Sequence, residues 1–166
     1  MSQVTQNGNP IHTAGDLPEI GATARDFTVV KTDLSSISLG ELKGRKVVLN
    51  IFPSLDTSVC AASVRRFNAE AAKLSNTVIL CISRDLPFAQ KRFCAAEGID
   101  NVIVGSEFRD TSFSDAYGVK ILDGPLAGLF SRAIVIIGED GKVIYTQQVP
   151  EIGQEPDYDK VLGAVK

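Results

Sequence analysis

Apolar residues run almost without interruption through two segments, KVVLNIF (46–52) and TVILCIS (77–83). Runs of this length and β-branched content are typical of central strands that are covered on both faces. A third segment, AIVIIGEDGKVIYTQQV (133–149), is divided by Asp140-Gly141, a pair that favours a tight turn between antiparallel strands. The pattern therefore predicts two buried central strands and a later hairpin that completes the same sheet.

Shorter segments with β-prone residues precede and separate these strands. They are DFTVVKTDL (26–34), SISL (36–39) and NVIVGS (101–106). The opening VTQNGNPIHTA has two further β-prone pieces around Asn7-Gly8, and both of these residue types tolerate the positive φ of a tight turn. We therefore expect an N-terminal β-hairpin at about residues 3–14.

Helical spacing of apolar residues appears between the strands. Thr57 to Leu74 and Pro87 to Glu97 have the pattern of amphipathic helices, SFSDAYG (112–118) predicts a helical turn, and EPDYDKVLGAVK (155–166) predicts a last helix with Pro156 in its first turn. Strands that alternate with helices predict an α/β fold with a mixed central sheet flanked by helices. A chain of 166 residues fits one domain, 1–166.

The amino-acid composition limits the classes of partner expected for this protein. The net charge of −3 gives no excess of Lys and Arg for phosphates, so we expect no nucleic-acid partner. The beginning MSQVTQNGNP has neither a basic nor an apolar leader region, and no segment approaches the roughly 18 apolar residues of a membrane span. We expect a cytoplasmic protein with no membrane partner.

The stretch PSLDTSVC (53–60) places a thiol where a strand ends and a helix begins. If the helix begins at Asp56 or Thr57, Cys60 lies in its first turn. Free backbone N–H groups and the helix dipole favour an anion there, and for cysteine that anion is a thiolate. A neighbouring cation adds to this effect. Cys60 is therefore a candidate nucleophile.

Thr57 and Pro53, which precede Cys60 in this stretch, each have two interpretations. The Thr57 hydroxyl either caps the helix or turns toward the sulfur and a substrate oxygen. Pro53 either ends the strand or also shields the sulfur from water. The residues alone do not decide between these uses.

Several kinds of cysteine chemistry fit the sequence poorly. The single histidine, His12, lies in the N-terminal hairpin, far in sequence from Cys60, which disfavours a Cys-His protease or transferase. The sequence has no CxxC pair of a thioredoxin-type dithiol exchanger and no zinc-ligand spacing, so we expect no metal. A peroxide O–O bond remains as an electrophile that an activated thiolate attacks directly, giving a sulfenic acid.

A sulfenic acid needs a second thiol. Cys94, near a helix end, is the natural candidate, although packing alone also explains it, and the pairing predicts an intramolecular Cys60–Cys94 disulfide. If both helices are intact and lie apart, that bond requires local unfolding. Cys81 lies inside a predicted strand and is expected to be a buried, inert thiol.

The motif PSLDTSVC fits the PxxxTxxC active-site pattern of peroxiredoxins through Pro53, Thr57 and Cys60. Together with VILCISRDLPFAQKRFCAAEG and DGPLAGLFSRAIVIIGEDGKVIY, the chain resembles the Tpx-type thiol peroxidases, which are atypical two-cysteine peroxiredoxins, over essentially its whole length. The resemblance implies a thioredoxin-like fold in its peroxiredoxin variant. It also implies that Cys60 is the peroxidatic cysteine, Cys94 the resolving cysteine and Arg132 the guanidinium that pairs with thiolate and peroxide.

The same resemblance implies the biochemical setting. It predicts a homodimer that reduces hydrogen peroxide and alkyl or lipid hydroperoxides in antioxidant defence, with electrons from thioredoxin and no cofactor. Rival interpretations are a thiol-disulfide oxidoreductase of the same fold and a redox-responsive binding protein. Apolar side chains either line a site for alkyl peroxides or belong to the core; they are Phe52, Leu55, Phe88, Phe93 and Leu129.

Overall fold

A seven-stranded mixed sheet forms the centre of the computed structural model, which describes residues 1–166. Its strands are β3 Thr28–Lys31, β4 Ser36–Ser38, β5 Lys46–Ile51, β6 Thr77–Ser83, β7 Ile103–Ser106, β8 Ala133–Ile137 and β9 Val143–Gln148. The order is β4-β3-β7-β6-β5-β8-β9, in which only the β5–β6 and β6–β7 pairs are parallel. The predicted mixed sheet is confirmed, with the two most apolar runs, β5 and β6, at its centre.

Helices cover both faces of this sheet. They are α1 Ser58–Ala71, α2 Pro87–Glu97, α3 Ser112–Tyr117 and α4 Tyr158–Val165, and a 3₁₀ turn spans Leu39–Leu42. None of them is long and apolar enough to cross a membrane. Pro156 lies outside α4 rather than in its first turn: Asp157 caps the helix by accepting from the Lys160 N–H at 3.1 Å, so the helix begins after that carboxylate.

Successive residues of the central strands point to opposite faces, and this alternation divides the core in two. Val47 and Leu49 of β5 lie on the face covered by α3, whereas Val48 lies on the face covered by α1 and α4. The second face also holds Cys60, which is completely buried. The helix that carries the candidate nucleophile is therefore fixed on the sheet by an apolar core.

The predicted N-terminal hairpin is present as β1 Gln3–Gln6 and β2 Asn9–His12. Asn7 and Gly8 form its turn with φ of 51° and 80°. The hairpin also bonds to the segment that follows β9, because the Thr5 N–H donates to the Pro150 carbonyl at 2.8 Å and the Ile152 N–H donates to the Thr5 carbonyl at 2.9 Å. It therefore supports the backbone at Ile152.

Phe67→Ala is expected to lower the free energy of unfolding by about 3–5 kcal/mol, because it leaves a cavity under α1. Phe67 is 1% exposed and its ring meets that of Tyr158 edge to face at 5.5 Å. Urea denaturation measures the loss. Arg65→Ala is the control on the same helix: its exposed 3.7 Å ion pair with Glu97 contributes less than about 1 kcal/mol. Equal losses in the two variants would contradict the packing described here.

Candidate active site

The register of the central strands brings three chain segments together at one edge of the sheet. Ile51, at the end of β5, pairs in parallel with Ile82 near the end of β6 and antiparallel with Ala133 at the start of β8. The residues after β5, the residues after β6 and the residue before β8 therefore meet at this edge. That last residue is Arg132.

Cys60 is the third residue of α1, and its side chain has no exposed surface. The helical ladder begins with the Ala61 N–H donating to the Thr57 carbonyl at 3.0 Å. Cys60 therefore lies in the first turn, where backbone N–H groups and the positive end of the helix dipole favour an anion. This position is the one predicted from the sequence.

Arg132 supplies a cation to the buried sulfur. Its Nη2 donates to Cys60 Sγ at 3.2 Å, and its Nε donates to the Ile152 carbonyl at 2.9 Å. The side chain is 2% exposed, and Nη1 has no hydrogen-bond partner within the protein. The guanidinium is thus oriented by the backbone, places a positive charge beside the Cys60 sulfur and retains one unused donor group there.

Thr57 and Pro53 lie in the loop that leads to Cys60. Thr57 occupies the cap position before α1, but its hydroxyl donates to the Ser54 carbonyl at 2.9 Å and accepts nothing from the helix. The capping interpretation of this hydroxyl is therefore wrong, and the hydroxyl stabilises the loop instead. Pro53 is buried and lies two residues after the end of β5.

The other two cysteines have different environments. Cys94 is half-buried in α2 and packs against the apolar cluster that contains Cys60, and burial raises the pKa of its thiol. Cys81 is fully buried in β6, accepts a hydrogen bond from Asn50 Nδ2 at 3.7 Å, and has its pKa raised by burial to about 12. All three thiols are free. The environment of Cys81 strongly disfavours its thiolate.

His12 takes part in a different interaction. Its Nδ1 lies 2.7 Å from Asp123 Oδ2, and neither residue is bonded to the cysteine site. No three His, Cys, Asp or Glu side chains come together as metal ligands.

The apolar side chains near Cys60 only partly form a group. Phe52 and Leu55 belong to the same buried cluster as Cys60, and Phe93 packs against that cluster. Phe88 is 68% exposed, and Leu129 lies outside the cluster. A lining for alkyl peroxides would therefore draw on Phe52, Leu55 and Phe93.

Asp85 is a residue of this region that the sequence interpretation missed. Its carboxylate accepts from Ser54 Oγ at 2.7 Å, from the Leu55 N–H at 2.8 Å and from Ser83 Oγ at 2.6 Å. The available signal was its place two residues after the end of a buried parallel strand, at the carboxyl edge where functional polar residues collect.

Comparisons with known proteins show the family and the fold of this chain. The sequence model of the Redoxin family matches residues 19–162. The thiol peroxidase of Mycobacterium tuberculosis (strain ATCC 25618 / H37Rv) is 56% identical over 165 residues, 99% of each chain. A peroxiredoxin-like protein from Aquifex aeolicus superposes with a TM-score of 0.93 at 42% identity, covering 98% of this chain and 95% of that one. A thiol peroxidase from Chromobacterium violaceum shares the fold with a TM-score of 0.88 at 21% identity, covering 97% and 94%.

The chain therefore belongs to the Redoxin family, with the thioredoxin-like fold of the peroxiredoxins. Within that family it is a Tpx-type thiol peroxidase, an enzyme that reduces peroxides by cysteine thiol chemistry.

Proposed function

We propose that Cys60 is the peroxidatic cysteine of this enzyme and that Arg132 activates it. The 3.2 Å hydrogen bond from Arg132 Nη2 to Cys60 Sγ is the observation that carries the proposal. A buried sulfur in the first turn of a helix, beside a buried guanidinium, is stabilised as a thiolate. The sulfur therefore needs no histidine as a general base.

In the first step the Cys60 thiolate attacks the terminal oxygen of the hydroperoxide. The S–O bond forms as the O–O bond breaks, and the leaving alkoxide or hydroxide takes a proton to become alcohol or water. Negative charge moves from sulfur to oxygen during this step. The Nη1 group of Arg132 donates to no protein atom. This group and the first-turn N–H groups of α1 stabilise that charge.

In the second step Cys94 resolves the sulfenic acid. The Cys94 sulfur attacks Cys60 sulfur, the S–S bond forms, and the sulfenic oxygen leaves as water with the thiol proton. Cys94 packs against the cluster around Cys60, which supports this pairing. Since both thiols are free, one sulfur must move toward the other before the bond forms, and the proposal is that α1 or α2 partly unwinds to allow it.

The proposal extends to the setting of the reaction. Thioredoxin reduces the Cys60–Cys94 disulfide by dithiol exchange, and the substrates are hydrogen peroxide and alkyl or lipid hydroperoxides. The reaction uses thiols alone, without a cofactor, in the cytoplasm. A single domain, 1–166, carries all of it, and the enzyme acts as a homodimer.

Cys94→Ser is expected to stop disulfide formation while leaving the first oxidation intact. After one equivalent of cumene hydroperoxide, intact mass and non-reducing peptide mapping should show a Cys60–Cys94 disulfide in the wild type. In the variant they should show a sulfenic acid that dimedone traps at Cys60. Reduced thioredoxin should return the oxidised wild type, but not the dimedone adduct, to the starting mass.

The contrary results are equally specific. A wild-type Cys60 that stays reduced while peroxide persists would overturn its peroxidatic role. A disulfide to Cys81 in the wild type would overturn the role of Cys94.

A further inference from the structure

The carboxylate of Asp85 connects the two loops from which the two cysteine-bearing helices begin. Ser54 and Leu55 belong to the loop before α1, and Asp85 directly precedes Leu86, the cap residue of α2. The parallel pairing of β5 with β6 places these loops side by side. Asp85 Oδ1 accepts from Ser54 Oγ, while Oδ2 accepts from the Leu55 N–H and from Ser83 Oγ.

These contacts are the hydrogen bonds that fix the loop 53–57 to the sheet. Apart from the Thr57 carbonyl, which accepts from the Ala61 N–H of α1, the remaining hydrogen bonds of the loop are internal and converge on Ser54. The Asp56 N–H donates to Ser54 Oγ, and both the N–H and the hydroxyl of Thr57 donate to the Ser54 carbonyl. Ser54 therefore organises the turn, and Asp85 determines where that turn lies.

The position of the turn determines where Cys60 lies. Thr57 ends the loop and precedes the first turn of α1, so a shift of Ser54 moves the Cys60 sulfur relative to Arg132. Arg132 itself is fixed independently, through the Ile152 carbonyl. The 3.2 Å approach of the two groups thus depends on the Ile152 carbonyl for Arg132, and on both the apolar packing of α1 and the Asp85 contacts for Cys60.

We propose that Asp85 is a positioning residue, which holds Cys60 against Arg132 for attack on peroxide and whose bonds to the loop break when Cys60 moves to Cys94. The inference rests on the proposed roles of these two cysteines. Both thiols are free, so one of the two sulfurs must move before they reach an S–S distance of about 2.05 Å. When Cys60 is the residue that moves, the loop that Asp85 holds moves with it, because this loop leads directly into the first turn of α1.

Asp56 offers a control that distinguishes the effect of losing a loop contact from the effect of losing a negative charge. It lies in the same loop, but its side chain is exposed and its carboxylate accepts no hydrogen bond within the protein. A carboxylate near a thiolate opposes it electrostatically, so loss of either charge alone would speed attack on peroxide. Loss of position has the opposite sign, which makes Asp56→Ala the matched control for Asp85→Ala.

The experiment compares Asp85→Ala, Asp85→Asn and Asp56→Ala with the wild type. Rapid alkylation quench and intact mass give the rate constant of Cys60 oxidation by hydrogen peroxide. The same spectra at excess peroxide give the ratio of Cys60 sulfinic acid to disulfide. We expect Asp85→Ala to slow oxidation by about ten- to hundredfold, as expected for a misplaced reacting group, and to lower the sulfinic-to-disulfide ratio.

The two other variants are expected to stay close to the wild type. In Asp85→Asn the amide oxygen still accepts from the Leu55 N–H, and its NH₂ donates to the Ser54 hydroxyl, which turns to accept, so oxidation stays within about threefold. In Asp56→Ala the rate stays within about twofold, because exposed charges are largely screened.

Three results would overturn the proposal. In the first, Asp85→Ala oxidises at the wild-type rate. In the second, Asp85→Ala slows oxidation and disulfide formation equally, as a generally destabilised protein would, and in the third Asp85→Asn is as slow as Asp85→Ala. Should Asp85→Ala not fold, Ser54→Ala removes the Oδ1 contact together with the Asp56 N–H bond to Ser54 Oγ, and it leaves the Leu55 N–H bond to Oδ2 in place. An oxidation rate below that of the wild type then supports the proposal, and an unchanged rate overturns it. Failure of the proposed function is distinguishable, since wild-type Cys60 would then itself stay reduced.

Discussion

Cys60→Ser is expected to lower peroxide turnover by at least about a thousandfold, as loss of a catalytic nucleophile does. The serine hydroxyl is a poor nucleophile unless a base removes its proton, and the neighbour of this position is a cation. The serine is close to isosteric with cysteine, so the fold is retained. Consumption of cumene hydroperoxide in the presence of a thiol reductant measures the loss, and circular dichroism checks folding.

Cys81→Ala is the matched control for this experiment. Cys81 is as deeply buried as Cys60, but no cation faces it and burial raises its pKa to about 12. Its thiolate is therefore not populated near neutral pH, and turnover should stay within about twofold of the wild type. Residual turnover in Cys60→Ser equal to that of Cys81→Ala would assign the peroxide reaction to another group.

The strands and helices around the site follow from local sequence patterns. β6 and α2 begin and end where the pattern predicts. Turn residues on both sides of a short apolar run mark the ends of the strand, and Pro at the start and Gly after the end mark the helix. The start of α4 is predicted too early, with Pro156 in its first turn, whereas Asp157 caps the helix by accepting from the Lys160 N–H and Tyr158 begins it. The local sequence was sufficient to predict this helix, but Pro156 and Asp157 are both residue types that occur at helix N-termini.

The contacts within the site depend on strand pairing, which local patterns do not give. Arg132 and Cys60 are 72 residues apart, and the resemblance to peroxiredoxins, rather than periodicity, brought them together. Asp85 was missed for the same reason: its partners Ser54 and Leu55 become neighbours only through the parallel register of β5 and β6. The chemistry of Cys60 was predictable from its place in a helix, whereas the side chains that hold it required the sheet order.

Arg132→Met is expected to slow the oxidation of Cys60 by about a hundred- to a thousandfold, the loss typical of removing one preorganised donor to a developing charge. Methionine has a similar length and is apolar, so it fills the buried position without the donors that now reach Cys60 Sγ and the Ile152 carbonyl. The thiolate would lose its partner, and the leaving oxygen would lose the free Nη1 group. Rapid-quench intact mass with hydrogen peroxide measures the rate.

Two further variants show whether the shape of the guanidinium matters beyond its charge. A lysine at 132 keeps one positive charge but cannot bond the Ile152 carbonyl, the sulfur and a peroxide oxygen with a fixed planar fork, so Arg132→Lys should lose about tenfold or more. Arg66→Met removes a partly exposed cation of the same helix as Cys60 and should stay within about twofold. Wild-type rates in Arg132→Lys would reduce the role of Arg132 to charge alone. Wild-type rates in Arg132→Met would leave the helix N-terminus as the group that activates Cys60.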